Sequence, residues 1–449
     1  MRPKFEASDP TWTAGWEWAV AQAMAYVFSG DPVGDWIEAA LPGRDAFCMR
    51  DVSHQSIGAQ ILGLDGHVKN MLHKFAENMA PSRDWCSYWE INKHDLPAPV
   101  DYTDDRDFWY NLPANFDLLD CCYRQYLWTG DPDYVQDPVF LRFYDRTVTD
   151  YVRQWDVDRD GLLEHLPQYG RRGLASYEEA TFDIRLGGDL LAAQAAAYRA
   201  YARIQALRGD LDRAQAYERK AADLSALYET AWWNEETATF CSIVRSDGQL
   251  DPAPNFVING LALYYGLVRD AAKAQHTLDD LCPRMDAMNV ESLSYLPEIA
   301  YRYGRGRDAS AALRRLIDPR LPRREYPEVS YSVIGTLVTG LIGLSCHTPR
   351  HTVSTTSHLL DQDSWVSIRD LSIGSNKVAI RHHGRTETTV HNQAGPDLTW
   401  QACFDLQTPH LVVDGIRQAA TIDRDPYGQP RSWVAIPIPA GAARTVRVS

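Results

Sequence analysis

Four carboxylates in two loops carry the chemistry that this chain of 449 residues offers. Glu178 and Glu179 are adjacent in Ser176-Tyr177-Glu178-Glu179-Ala180, at the end of a polar loop that opens an alanine-rich helical pattern. Glu325 and Glu328 lie in Arg323-Arg324-Glu325-Tyr326-Pro327-Glu328-Val329-Ser330, which also leads into an apolar helix. Adjacent residues at a helix start point in different directions. One of Glu178 and Glu179 therefore faces the interior, while the other faces solvent or pairs with Arg171 or Arg172. Tyr177 offers an apolar wall that raises a carboxyl pKa, as a general acid needs at neutral pH. Glu328 precedes Val329-Ser330-Tyr331 at a helix start, where the dipole and free N–H groups favour a carboxylate. A capping role there predicts a lowered pKa, which also suits a base that must stay ionised. Two carboxylates across a crevice, with room for a water, are the arrangement of inverting glycoside hydrolysis: the acid protonates the leaving oxygen and the base activates water on the other face of the sugar.

Apolar residues at helical spacing predict helices over 11–28, Val52 to Leu62, His67 to Met79, Asn115–Trp128, Pro138–Trp155, Ile184 to Leu207 and Leu211 to Trp233. Further helices are predicted near 255–268, 270–282, 293–304, 307–317 and 331–345, with a short extended segment at Thr239–Val244. Short turns alternate with long polar loops between them. Helix hairpins arranged in a ring put short turns at one end and long loops at the other, where function sits. The fold class expected is mainly α: an (α/α)6 barrel over 1–348, followed by a small C-terminal antiparallel β-sandwich over 349–449. In the latter, short β-branched runs such as Lys377-Val378-Ala379-Ile380-Arg381 are punctuated by Gly, Asn and Pro. It offers no titratable constellation, so packing or a place at the substrate rim is its expected role. In a twelve-helix ring the loops after the fifth and eleventh helices, which hold the two acidic segments, face each other across one rim.

A formal charge of −15 and the absence of a basic patch argue against nucleic acid. The N-terminal residues lack an apolar signal core and no apolar run reaches the length of a membrane span, so a cytoplasmic protein is expected. The 8 cysteines are scattered without a C-x-x-C pair, which reads as reduced core thiols rather than a zinc site. Asp156-Val157-Asp158-Arg159-Asp160-Gly161 mimics the start of a calcium loop, but Pro167 stands where the bidentate Glu belongs, so a tight Asp-rich turn is expected. No metal and no cofactor is expected. The partner expected is an oligosaccharide or glycoside, to which 14 Trp and 23 Tyr offer stacking faces.

Met49-Arg50-Asp51-Val52-Ser53-His54-Gln55-Ser56-Ile57-Gly58 resembles the G-R-D-T segment of six-hairpin glycosidases, the glucoamylase and amylo-1,6-glucosidase-like superfamily. In that family the Arg-Asp pair lies at the sugar site, which implies that Arg50 and Asp51 hold hydroxyls of the terminal sugar. Tyr110-Asn111 and the helix ending Thr129-Gly130-Asp131 look like the family's next aromatic-polar helix. Ser176–Ala180 is similar to its T-W-M-D-A segment, whose Asp is the general acid; the match falls on Glu179. Tyr326-Pro327-Glu328-Val329-Ser330 resembles a P-E-x-S loop of bacterial six-hairpin proteins and prefers Glu328 over Glu325 as the base. The resemblance runs motif by motif across 45–345.

The reading is thus a glycosidase that removes a terminal sugar, with Glu179 and Glu328 catalytic. Trp85, Trp89, Trp109, Tyr110 and Asn111 are candidates for stacking and rim contacts, against the competing reading of plain core. Glu178, Glu291 and Glu325 are further substrate-contact candidates. An epimerase with paired rim histidines, a phosphorylase with a basic phosphate pocket, and a non-catalytic carbohydrate-binding protein are the alternatives.

Overall fold

The computed structural model describes residues 2–39, 41–179 and 183–448. Twelve helices of more than two turns dominate the first part: α1 (Pro10–Met24), α2 (Met49–Ile61), α3 (Asp65–Glu77), α4 (Pro113–Thr129), α5 (Pro138–Arg146, continued to Trp155), α6 (Gly188–Leu207), α7 (Leu211–Ala231), α8 (Phe256–Tyr264), α9 (Ala271–Leu281), α10 (Val290–Arg302), α11 (Gly306–Ile317) and α12 (Pro327–Gly335, continued through Thr336–Leu341).

The even-numbered helices close on themselves. α2 packs on α4, α4 on α6, α6 on α8, α8 on α10, α10 on α12, and α12 back on α2. The odd-numbered helices back them: α1 lies against α12, α3 against α2, α7 against α6 and α11 against α10. Burial follows this division. Every residue of α2 from Val52 to Ile61 is buried, as is all of α12 from Pro327 to Gly335, whereas α3 alternates buried and partly exposed faces. The alanines of α6, among them Ala192, Ala193, Ala195, Ala196 and Ala197, leave room for neighbours on several sides. α2 and α12 come closest where Gly58 meets the backbone of Tyr331: a Cβ on Gly58 would lie 2.2 Å from the Tyr331 carbonyl oxygen.

Two sheets follow. The larger has the order Lys4–Ala7, Trp365–Ile373, Asn376–His383, Glu387–Ala394, Ala443–Val448, His410–Val413, Ile416–Ala419; the smaller runs Ser345–His347, Thr352–Thr356, Leu398–Phe404, Pro430–Ile438, Thr421–Arg424. Their core strands alternate buried and exposed residues, as a half-covered sheet requires. The expected all-antiparallel arrangement is corrected at one place, because Thr352–Thr356 runs parallel to Leu398–Phe404. The N-terminal strand Lys4–Ala7, which the sequence reading left out, completes the edge of the larger sheet with Phe5 opposite Ile368.

The sheets seat against the C-terminal ends of the inner helices. Thr348 Oγ1 donates to the Trp128 carbonyl, and His358 and His382 reach the carbonyls of Gly340 and Ile342. Those contacts lie at the opposite end of the ring from Arg50, Glu179 and Glu328, so a substrate-rim role for the sheets is not what their packing shows. The helix expected over 11–28 ends at Met24. Val27–Asp31 and Gly34–Ile37 form a hairpin instead, turned by Gly34 at a φ of +95°.

Candidate active site

All six inner helices aim their N-termini at one crevice. Arg50 and Asp51 open α2, Asn111 precedes α4, Glu178 and Glu179 stand in the loop before α6, Phe256 opens α8, Glu291 opens α10 and Glu328 opens α12. Outer helices α1, α5, α7 and α9 begin on Asp9, Asp137, Asp210 and Asp270, whose side chains cap them. Inner helices α2, α4, α6 and α12 have no such side-chain cap. The positive ends of their dipoles favour carboxylates nearby, although several of their first N–H groups are bonded within the protein: Met49 N to the Trp89 carbonyl, Gly188 N to that of Ser242 and Val329 N to that of Tyr326.

Arg50 is the hub. Its Nε donates to Asp51 Oδ1 at 3.2 Å and its Nη1 lies 3.5 Å from Glu179 Oε1. The guanidinium sits over the rings of Tyr177 and Trp89, 5.6 and 5.9 Å from their centroids. Asn111 Nδ2 donates to the Ser176 carbonyl at 2.7 Å and reaches Glu179 Oε1 at 3.4 Å. Glu179 thus faces inward with 38% of its side chain still accessible, which leaves it open to a substrate. Its pKa is raised by burial, against the pull of Arg50, with Asp51 adding to the rise.

Glu328 is only 4% exposed, and its Oε2 has no hydrogen-bond partner. Burial first, then the Asp51 carboxylate, push its pKa well above the ordinary range. This overturns the lowered pKa expected from a helix start: one turn of dipole does not offset complete burial beside other carboxylates. Asp51 is itself raised by burial, with Arg50 holding it down. Asp51 and Arg50 act on Glu179 and on Glu328 alike, so the first turn of α2 lies near both. Glu291, beside Arg323 at 3.5 Å, turns an unpartnered Oε2 inward.

The loop that carries Glu178 and Glu179 is pinned from below. Asp189, in the first turn of α6, accepts from Tyr177 N at 2.6 Å and from Ser176 Oγ at 2.9 Å, and Ser176 Oγ accepts from Glu178 N. The loop does not open the helix directly, as the sequence suggested. The strand Ile184–Gly187 comes between, and Ala180 of the motif lies outside the described residues. The divergence of the pair holds all the same: Glu179 turns to Arg50, and Glu178 Oε2 accepts from Asn255 Nδ2 at 2.8 Å. Replacing Asp189 by Ala strands two buried donors, at a cost of about 1–3 kcal/mol. The expected result is a lower urea midpoint together with a reduced turnover, whereas Asp189→Asn keeps most of both.

The other candidates divide. Trp89 is buried and supports Arg50, rather than presenting a face to solvent. Trp109 donates to Asn111 Oδ1 at 2.7 Å and so orients that amide. Tyr110 is fully buried, with its hydroxyl on Asn115 Oδ1, and is core rather than a stacking platform. Trp85 packs under Arg146 of the outer helix α5 and is not brought to the crevice. Glu325 is exposed, and its carbonyl accepts from Tyr26 and Gln22; the structure separates it from Glu328 because it lies in the turn before α12.

Sequence reasoning passed over several groups. Glu90 follows Trp89 and is paired with Cys48 across a two-stranded ribbon. Arg44 Nε lies 2.9 Å from Glu90 and its Nη2 3.2 Å from Asp101; burial and Asp101 push Glu90 up to about 8. Below Arg50, Tyr177 donates to Asp117, which burial raises to about 7. His54 stacks on Tyr295 at 3.7 Å and is held neutral, pushed down to about 3 by burial. Asp117 and His54 sit mid-helix on inward faces, a placement that only ring closure reveals. Asp156, Asp158 and Glu164 converge within 4.8 Å, but Arg185 Nη2 already bonds Asp158 and Glu164, each at 2.8 Å, and Asp156 accepts from Asp160 N and Gly161 N. That is the expected Asp-rich turn.

No protein-family model matches the chain, and no curated protein matches it significantly. Solved structures do. An α-L-rhamnosidase from Dictyoglumus thermophilum matches at a TM-score of 0.64 and 11% identity, over 100% of this chain and 50% of its own. A putative kojibiose phosphorylase from human microbiome gives 0.60 and 10%, over 98% and 67%. A glycosidase in complex with glucose gives 0.52 and 13%, over 74% and 98%. The chain spans 40% of a Bacillus rhamnosidase and 50% of the Dictyoglumus one. At these identities the likeness is one of fold.

Proposed function

We propose that this chain is a glycoside hydrolase that removes a terminal sugar with inversion, its closed helical ring being an (α/α)6 barrel over 1–348 and its sheets a unit over 349–449 to which Lys4–Ala7 and Ser345–His347 each add a strand. What supports the reading is that Arg50 and Asp51 act electrostatically on both Glu179 and Glu328. Glu179, raised by burial yet accessible, acts as general acid and gives its proton to the leaving oxygen. Glu328 takes a proton from water, whose oxygen bonds to the anomeric carbon as the bond to the leaving group breaks. Arg50 and Asp51 hold the sugar hydroxyls between them, and Asn111 orients the acid. The matched rhamnosidases and glycosidase support the class.

The alternatives fit less well. The residues lining the cavity beside Glu179 include no histidine pair, which an epimerase needs. Arg50 is the one cation among them and three carboxylates, Glu178, Glu179 and Glu291, share the lining, which opposes inorganic phosphate and hence a phosphorylase.

A panel of aryl glycosides followed by proton NMR tests the reading. Hydrolysis of at least one member, with the inverted anomer appearing first, is the expected outcome. First release of the retained anomer would replace inversion by a covalent route, and no hydrolysis across the panel would remove the reading altogether.

A further inference from the structure

A second and larger cavity, about 590 Å³ in volume, lies at the other end of the ring, between the inner helices and the smaller sheet. α2, α4, α10 and α12 reach it through Gln60, Trp128, Arg302 and Thr339, all in or near their last turns. The sheet reaches it through Thr352, Thr356 and Gln401. It shares no lining residue with the cavity beside Glu179. Small-molecule sites span about 300–1,000 Å³, so its size suits a ligand.

Charge decides what kind of ligand. Three arginines (Arg124, Arg302 and Arg431) and three carboxylates (Glu298, Asp405 and Asp425) line it. Most are already engaged: Arg302 with Glu298, Arg431 with Asp423, and Asp425 with the N–H groups of Tyr427 and Gln429. An ion of either sign would meet as many like charges as opposite ones, and the helix C-termini add negative potential against an anion. A neutral molecule fits best.

Three lining residues carry buried nitrogens with no partner in the protein: Arg124 at Nη1 and Nη2, Trp128 at Nε1 and His347 at Nδ1. Unpaired buried donors are costly, and their gathering round one cavity points to an occupant that pairs them. Ile57, Leu127 and Leu344 put apolar surface in the same lining, together with the Tyr427 ring. A sugar presents hydroxyls at its edge and C–H groups on its face, and so matches both.

We infer that this cavity is a second, non-catalytic carbohydrate site that takes a neutral mono- or disaccharide. The bound sugar bridges α4 and Leu398–Phe404, elements of the ring and of the smaller sheet.

Hydrogen exchange on the whole protein, with maltose, cellobiose or L-rhamnose added in turn, tests this. Protection of residues 343–356 and 398–405 by at least one of them, saturating with concentration, is expected. Trp128→Phe keeps a ring and removes the N–H, and should raise the concentration needed about tenfold. Gln401→Trp, at a half-buried strand position, fills the space and should abolish the protection, so the test does not hang on one variant. Hydrolysis of aryl glycosides should be unchanged in both. No protection by any of the three sugars leaves a water-filled space and overturns the inference, as does protection that survives Gln401→Trp. Stronger protection by glucuronate or glucosamine overturns the neutral class. Protection without hydrolysis of any glycoside keeps this site and discards the hydrolase; hydrolysis without protection does the reverse.

Discussion

Glu179→Gln is expected to lower kcat/KM by about 10²–10⁴ on glycosides with poor leaving groups while sparing glycosyl fluorides, whose departing ion needs no proton. Glu328→Gln should lower both classes alike, because water must still be activated whatever leaves. The two residues are thereby distinguished by substrate rather than by size of effect. The pH profile adds a second discriminator. A base works only when ionised, and burial next to Asp51 holds Glu328 protonated well beyond the usual carboxylate range. Its kcat/KM should therefore fall as pH drops through that raised value, with an acid limb displaced upward, and the limb should vanish in Glu328→Gln. If instead fluoride hydrolysis survives in Glu328→Gln and dies in Glu179→Gln, the two carboxyls exchange roles. Glu328, whose pKa burial raises well above the usual carboxylate range, is the group such a result would make the acid.

Gly58→Ala is expected to destabilise the whole helical ring by about 3 kcal/mol or to prevent folding. The added methyl carbon would fall 2.2 Å from the Tyr331 carbonyl and 2.8 Å from its Cα. These are backbone atoms of α12, so no side chain can rotate away. α2 and α12 carry Asp51 and Glu328 on their first turns, and a forced separation of the helices at Gly58 shifts one against the other. A melting curve shows the loss of stability, and residual activity in any folded fraction shows the displaced site. Gly260→Ala is the control: the same change in another inner helix, into open space, with no loss expected. Two buried helical glycines with opposite outcomes separate close helix contact from open space.

The sequence by itself determined a good deal. The number and order of the helices follow from apolar spacing, and the β-rich character after the last helix follows from its short β-branched runs. Starts of outer helices were legible where an aspartate caps them, as at Asp137 before Pro138 and Asp210 before Leu211. Inner starts were placed late for α2, α4 and α12 and early for α6, because Cys48, Leu112, Tyr326 and Gly187 cap nothing.

The candidate residues Arg50, Asp51, Asn111, Glu179, Glu291 and Glu328 were named from motifs, and tertiary structure brings them to one place. What it alone decided is their condition. Helix-start chemistry predicts an ionised Glu328, and burial reverses it. Loop position made Glu178 and Glu179 equivalent, and Arg50 and Asn255 divide them. Aromatic content made Tyr110 and Trp85 candidates for stacking, and packing takes one into the core and the other to an outer helix. Side-chain identity fixes which groups exist, whereas solvation and neighbours fix what they can do, and both depend on segments distant in the chain meeting when the ring closes.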